Sequence, residues 1–428
     1  MRLVEWFRRI GDRFGVFPIL LIATLTRFWN LDSPAKLVFD ETYYVKDAYT
    51  LWLAGHELSW PEAANESFNS GNPNVYLQTP EFVVHAPLGK WIIGLGMRLL
   101  GAGNPWGWRI MPALFGVLAV WLIYLIAKQL LGSKRWALLP AFLLAIDGQA
   151  IVVSRTAILD GIVTTFLLLG FYTLLRATSA LKPMPWLVLM GLVLGAGAAV
   201  KWNGFIFLAF FALYYLYSSR WDWKVFVSIP VAAVTYLASW AGWFVTRGWG
   251  YRPGNVIGSF IEYHQQMYHF HSTLQMVHPY QSNPLTWLAM VRPTSFFYEG
   301  TDISATAINP IGNPVIWLAG IVAIGFLFSW FAEHRDKLSL VIFTGLLAGY
   351  LPWVIYSNRT AFQFYSITFE PWIILAIAVM AYRYRTLRLA SYGSLLAGGV
   401  FVFFLPLYLG IEIPFWFWQW HMWIPTWV

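Results

Sequence analysis

Apolar residues along this chain fall into long uninterrupted runs, not into the alternation of a half-buried strand or the one-sided stripe of a soluble helix. A helix needs about 20 predominantly apolar residues to cross a bilayer, with a range near 17–25. Eleven stretches qualify: 14–30, 108–131, 136–153, 157–176, 184–200, 203–219, 225–246, 313–331, 338–356, 364–382 and 390–409. A further stretch, 87–101, is short and carries Lys90 and Arg98. Two long polar stretches, 31–107 and 247–312, separate the runs, and Pro183, Pro185, Gly312 and Pro314 punctuate the connections. No internal repeat is visible.

The sides follow from the basic residues, which favour the cytoplasm. If 87–101 lies along the interface, the clusters Arg8/Arg9/Arg13, Lys134/Arg135, Arg176/Lys182, Arg220/Lys224, Arg335/Lys337 and Arg383/Arg385/Arg388 all fall inside. If it crosses, the clusters from Lys134 to Lys337 land outside. Eleven spans are therefore expected, with the N-terminus in and the C-terminus out. Both long loops then face outward, together with the short turns holding Arg155, Lys201 and Arg359, so chemistry belongs on that face. The first run has no small-residue cleavage site and is expected to be a retained span.

Composition agrees. Of the 428 residues 58% are hydrophobic and 11% charged, against roughly a quarter charged in a soluble domain. Aromatics reach 19% and gather where apolar runs end, as interfacial belts do. The net charge of +8 is spread over loops as an orientation signal, so no nucleic-acid partner is expected. Cysteine is absent, which excludes disulfides, thiolate nucleophiles and Cys-ligated metals. There is no P-loop, dinucleotide fingerprint or nucleophile elbow, so energy must arrive with an activated substrate.

Several residues are candidates for chemistry. Asp40 and Glu41 are adjacent acids after the first span, where partial desolvation raises the basicity of a carboxylate that still reaches a polar substrate; Asp40 equally suits a helix N-cap. Pro87 suits a helix start, which puts Lys90 in a first turn where amides and a cation favour an anion; a snorkelling lysine is the plainer alternative. In S-R-T-A-I-L-D-G, 154–161, Asp160 is an acid inside an apolar run and needs a partner, for which Arg155 is nearest in sequence. Asp147 and Glu370 are further intramembrane acids. Arg155, Lys201, Arg359 and Lys90 together are what a polyprenyl-phosphate headgroup requires. His264, His269, His271 and His278 lack metal-ligand spacing, so no metal is expected and a polar, aromatic surface is the better reading.

In their order these motifs resemble the protein O-mannosyltransferases, a branch of the GT-C membrane glycosyltransferases. Asp40-Glu41 is similar to the family's D-E motif. His85 to Lys90 is similar to H-P-P-L-G-K, with Ala86 in place of the first proline. Arg155 with Asp160 resembles S-R-x-x-x-L-D. His278 to Pro284, R-T-x-F-x-F-Y at 359–365 and the Trp-rich end resemble bacterial members.

The resemblance implies an all-α integral membrane protein, a GT-C bundle of about eleven transmembrane helices forming one domain over 1–428, with interfacial helices in loop 31–107. It implies an inverting transfer of mannose from polyprenyl-phosphate mannose to Ser/Thr hydroxyls of secreted or membrane proteins, possible contact with the export machinery, and no cofactor. Asp40 would be the general base, Glu41 its companion, and Arg155 the donor-phosphate ligand, with Lys201, Arg359 and Lys90 beside it. Tyr44, His85, Asp160, Asn203, Gln363 and Tyr365 would line the substrate site. Loop 247–312 is too short for the MIR domain of fungal and animal members, which implies a bacterial plasma membrane. The alternatives are a GT-C enzyme with a lipid or cell-wall glycan acceptor and, from another class, a transporter, against which the missing repeat argues.

Overall fold

A computed structural model describes residues 14–428. The cluster Arg8, Arg9 and Arg13 lies outside the described residues. In chain order the helices are α1 (Phe17–Phe28), α2 (Glu41–Ala54), α3 (Ala64–Asn69), α4 (Leu88–Leu100), α5 (Pro105–Leu131), α6 (Lys134–Ile146), α7 (Gly148–Arg155), α8 (Leu159–Ser179), α9 (Met184–Val200) and α10 (Asn203–Ser218). They continue with α11 (Ser228–Ser239), α12 (Ala241–Thr246), α13 (Val256–Thr273), α14 (Pro314–His334), α15 (Lys337–Ile355), α16 (Glu370–Arg383), α17 (Leu387–Leu409) and α18 (Phe415–Trp420). Strands β1 (Phe297–Gly300), β2 (Ser304–Ile308) and β3 (Ile413–Pro414) form a small antiparallel sheet in that order, with Phe297 opposite Ile308 and Ala305 opposite Ile413.

Local chemistry sets many of the boundaries. Asn104, Ser133, Asp147, Asn255, Asn313 and Asp336 cap α5, α6, α7, α13, α14 and α15 with their side chains, each satisfying an amide the first turn leaves open. Pro105 and Pro314 occupy first-turn positions of α5 and α14, where a missing N–H costs nothing. The residue at the α6–α7 break is Asp147, and the two helices meet there at 59°.

Each of the eleven apolar stretches coincides with helix. Five helices, α5, α8, α14, α15 and α17, are long and apolar enough to cross a membrane alone among the described residues, and the bent pair α6–α7 makes a sixth. The remaining stretches are shorter or interrupted, so helix length by itself does not yield the count of eleven. The stretch 87–101 is α4, 13 residues long, which at 1.5 Å per residue is too short to cross.

The bundle is centred on α8, which packs against α5, α9 and α10 and is buried on almost every face. Small residues bring α9 and α11 together: a Cβ at Gly191 would stand 2.5 Å from the Ser228 carbonyl oxygen, and one at Gly195 2.6 Å from Ala232. In lipid, where no hydrophobic effect drives helices together, this G-x-x-x-G approach gains dispersion contacts instead. The long loop 31–107 folds over one end of the bundle, with α4 packed against α2 and α5.

Candidate active site

The acidic pair does two different jobs. Glu41 is fully buried. Its Oε1 accepts from Arg109 Nε and the Ala157 amide, both at 2.8 Å, and its Oε2 accepts from Arg109 Nη2 at 2.8 Å and the Val38 amide at 3.0 Å. Arg109 uses its remaining donors on the carbonyls of Leu31, Pro34 and Lys36. A bidentate pair with every lone pair met is the arrangement a buried ion pair requires. It ties loop 31–40 to α5 and to the turn before α8.

That clamp aims Asp40. Phe39 just before it has φ +48°, a left-handed conformation that a bulky side chain adopts only when its surroundings impose it. Its ring is stacked on Phe296 at 4.4 Å and stands edge-on to Phe364 at 5.3 Å. Asp40 occupies the N-cap position of α2, yet its side chain makes no cap hydrogen bond. The capping alternative is thus not how the carboxylate is used.

Asp40 instead lies within electrostatic reach of Lys201 and Asp160. Burial pushes its carboxyl up to about 7, Lys201 opposes that and Asp160 adds to it. Lys201 Nζ donates to both oxygens of Asp160, at 2.9 and 2.8 Å, and lies 5.2 Å over the Tyr365 ring. Tyr44 lies close enough to feel Asp40 and Asp160. Its ring is 6.0 Å from His85, which stands 4.8 Å from His271. Burial keeps His85 neutral far below its ordinary range and lowers His271 to about 4. His271 Nε2 donates to the Val84 carbonyl at 2.6 Å, so neither ring is a cation at neutral pH. Asn203 opens α10 two residues after Lys201.

The four cations expected at a phosphate prove unequal. Arg155 donates to the carbonyls of Thr26, Arg27, Trp29 and Asn30, at 2.8–3.2 Å, closing the C-terminus of α1 where a cation meets the helix dipole. It does not pair with Asp160, which corrects the pairing suggested by nearness in sequence: Lys201, 41 residues on, is the partner. Lys90 does lie in the first turn of α4, but it pairs with Glu57 at 2.5 Å and donates to the His85 carbonyl at 3.1 Å. Asp47 is beside them, pushed up to about 7 by burial despite Lys90. Lys90 is thus engaged within loop 31–107. Arg359 is the least engaged of the four: its Nε reaches the Thr360 carbonyl at 3.3 Å, its guanidinium lies 5.6 Å over Trp353, and it has no carboxylate partner among the described residues. Trp353 stacks on Tyr365 at 4.6 Å, and Arg359 lies within electrostatic reach of Tyr365.

Gln363 is fully buried, and its Nε2 donates to Ser366 Oγ at 3.5 Å. Sequence reasoning missed Arg109, an arginine at the start of an apolar run whose need for an anion was a usable signal. His271, one of the four histidines singled out in the sequence, packs against His85. Among the other histidines, His264 meets the Tyr236 hydroxyl and the Phe260 carbonyl, and His278 accepts from the Tyr280 amide with its ring edge-on to Phe362.

If Asp40 is the group that takes a proton, the acid limb of kcat/KM against pH should have its midpoint near the value of about 7 set by its burial. Activity is lost as pH falls through that value, because a protonated carboxyl cannot accept. A limb at roughly 4, the ordinary carboxylate range, would place the titrating group elsewhere.

Solved structures share this architecture. The protein O-mannosyltransferase Pmt1–Pmt2 complex of S. cerevisiae bound to the sugar donor superposes with a TM-score of 0.77 at 13% identity, over 98% of this chain and 93% of that one. ArnT from Cupriavidus metallidurans bound to undecaprenyl phosphate gives 0.61 at 15%, over 92% and 76%. The fold is therefore that of the GT-C membrane glycosyltransferases. The dolichyl-phosphate-mannose-protein mannosyltransferase family matches residues 18–246, and the C-terminal four-transmembrane region of protein O-mannosyltransferase matches 256–427. The chain belongs to this family and is a multi-pass membrane mannosyltransferase. It is 28% identical to the polyprenol-phosphate-mannose–protein mannosyltransferase of Mycolicibacterium smegmatis, over 96% of this chain and 92% of that protein. It is 28% identical to the protein of the same name from Corynebacterium glutamicum, over 99% and 94%.

Proposed function

We propose that this enzyme transfers mannose from polyprenyl-phosphate mannose to Ser or Thr hydroxyls of proteins on the extracytoplasmic face of a bacterial plasma membrane. Asp40 takes the hydroxyl proton. The hydroxyl oxygen bonds to the anomeric carbon while the bond from that carbon to the phosphate oxygen breaks. The polyprenyl phosphate leaves with the electron pair, and the configuration inverts. No cofactor or metal enters this scheme. The observation that carries it is an uncapped, desolvated carboxylate within electrostatic reach of a lysine already neutralised by its own acid, with the sparsely bonded Arg359 near Tyr365, over whose ring that lysine lies. The names of the relatives support the donor and a protein acceptor, and the distribution of basic residues supports the outward side. Acceptors delivered by the export machinery would reach that side unfolded.

Arg359, not Arg155, is assigned the donor phosphate, with Lys201 at the edge. Charge-assisted hydrogen bonds contribute about 1.5–3 kcal/mol, so Arg359→Ala should raise the donor KM roughly 10- to 100-fold, and Arg359→Lys should recover part. A donor KM unchanged in Arg359→Ala rejects the assignment. The reaction itself is tested by incubating purified enzyme with polyprenyl-phosphate mannose and a Ser/Thr-rich peptide. The peptide should gain the mass of one hexose. Sugar appearing on a lipid or glycan acceptor while the peptide stays unmodified would replace this reading with the other GT-C one.

A further inference from the structure

Beneath the pocket lies a polar network that the chemistry above does not use. Gln149, in the first turn of α7, donates from Nε2 to Ser366 Oγ at 3.0 Å and to Glu370 Oε2 at 2.9 Å, and Ser366 donates back to Gln149 Oε1 at 3.1 Å. Gln363 reaches the same Ser366 hydroxyl. Asp147 anchors the other end: it accepts from the amides of Gln149 and Asn313, both at 2.9 Å, and from the Trp317 indole at 3.2 Å. Asp147, Gln149, Gln363 and Ser366 are 0% exposed and Glu370 1%, so water cannot stand in for a lost partner.

Ser366 and Gln363 belong to the 3-10 turn Gln363–Thr368, which carries Tyr365. Such turns have weaker internal hydrogen bonds than an α-helix and depend on outside contacts. Here these contacts come from the α6–α7 break on one side and the first residue of α16 on the other. We propose that Gln149, Ser366 and Glu370 form a buried clamp that positions this turn, so that Tyr365 shields Asp40, Lys201 and Asp160 from water. Gln149, Ser366 and Glu370 are positioning residues: none touches the Asp40 pocket, and each acts through the Tyr365 backbone. The inference rests on Asp40 as general base. The groups facing Asp40 are Lys201, Asp160, Tyr44 and Tyr365. Burial is the largest influence on its proton affinity, so admitting water outweighs small changes in the Lys201 contact.

The test uses Ser366→Ala, which removes one oxygen, and Gln149→Met, which keeps shape and removes both donors, each in the full chain. Amide hydrogen exchange over 363–368 should speed up while that of α16 stays as it is. Turnover should fall roughly tenfold, the scale of one buried hydrogen bond, with the donor KM within about twofold. The acid limb should move below about 7, toward the ordinary carboxylate range, as Asp40 becomes hydrated. Unchanged exchange in both variants overturns the clamp. Faster exchange with the limb unmoved or moved upward overturns its coupling to Asp40, since a merely structural loss lowers the amount of active enzyme without moving a pH profile. Failure of the underlying reading shows elsewhere: Asp40→Asn would then keep its turnover, and the exchange result would still stand.

Discussion

Asp40→Asn should lower turnover by roughly 10²- to 10⁴-fold, the range lost when a positioned general base is removed, while the donor binds as well as before or better. The amide keeps the shape of the carboxylate but has no basic lone pair for a hydroxyl proton. Asp40 makes no cap hydrogen bond in α2, so the fold loses nothing there. The carboxylate is also an anion held close to where the donor phosphate would lie, and removing it relieves a repulsion. Donor binding is read by titration of the purified variant, and turnover by hexose gain on the peptide. Turnover within about tenfold of the unsubstituted enzyme, below the usual effect of a lost base, would remove Asp40 from the chemistry.

The second large effect is on stability and falls on a residue that bears no reactive group. Arg109→Met should destabilise the protein by about 3–5 kcal/mol, because it leaves Glu41 as an unpaired charge in a site with no access to water. The double variant Glu41→Gln with Arg109→Met removes both charges and should recover a substantial part of that loss, a coupling that neither single change reports. Thermal unfolding in detergent, followed at several denaturant concentrations, measures Arg109→Met, Glu41→Gln and the double variant. If the double variant is as unstable as the sum of the singles, the pair is not the unit that holds loop 31–40 in place. Because the pair fixes the residue next to Asp40, loss of Arg109 should also lower transfer in whatever protein remains folded.

Several features were legible along the chain. The apolar runs coincide with helices because insertion into lipid depends on local composition, and the short stretch at α4 could be set aside by length and its two cations. The adjacent acids after the first run could be marked because an acid at a membrane boundary is costly enough to need a purpose. The set of cations expected to face outward could be named for the same reason. In their order these motifs point to the family from the sequence alone.

What each charge does was decided only in three dimensions. Arg155, Lys201, Lys90 and Arg359 carry equivalent charge in a sequence, and they differ by which acceptors the fold sets against them: carbonyls ending α1, Asp160, Glu57, and no acid. Nearness in sequence misled for Asp160, because in a bundle a partner on the next helix is as close as one along the same turn. The division of labour between Asp40 and Glu41 arose the same way, from Arg109 far along the chain. The amino-acid sequence by itself determined which segments are apolar helix and which residue types gather at their ends, since transfer from water to hydrocarbon is a property of the segment. The tertiary structure alone decided which of those charges is paired and which is left without an ion-pair partner, since desolvation and ion pairing belong to the assembled surroundings of a group.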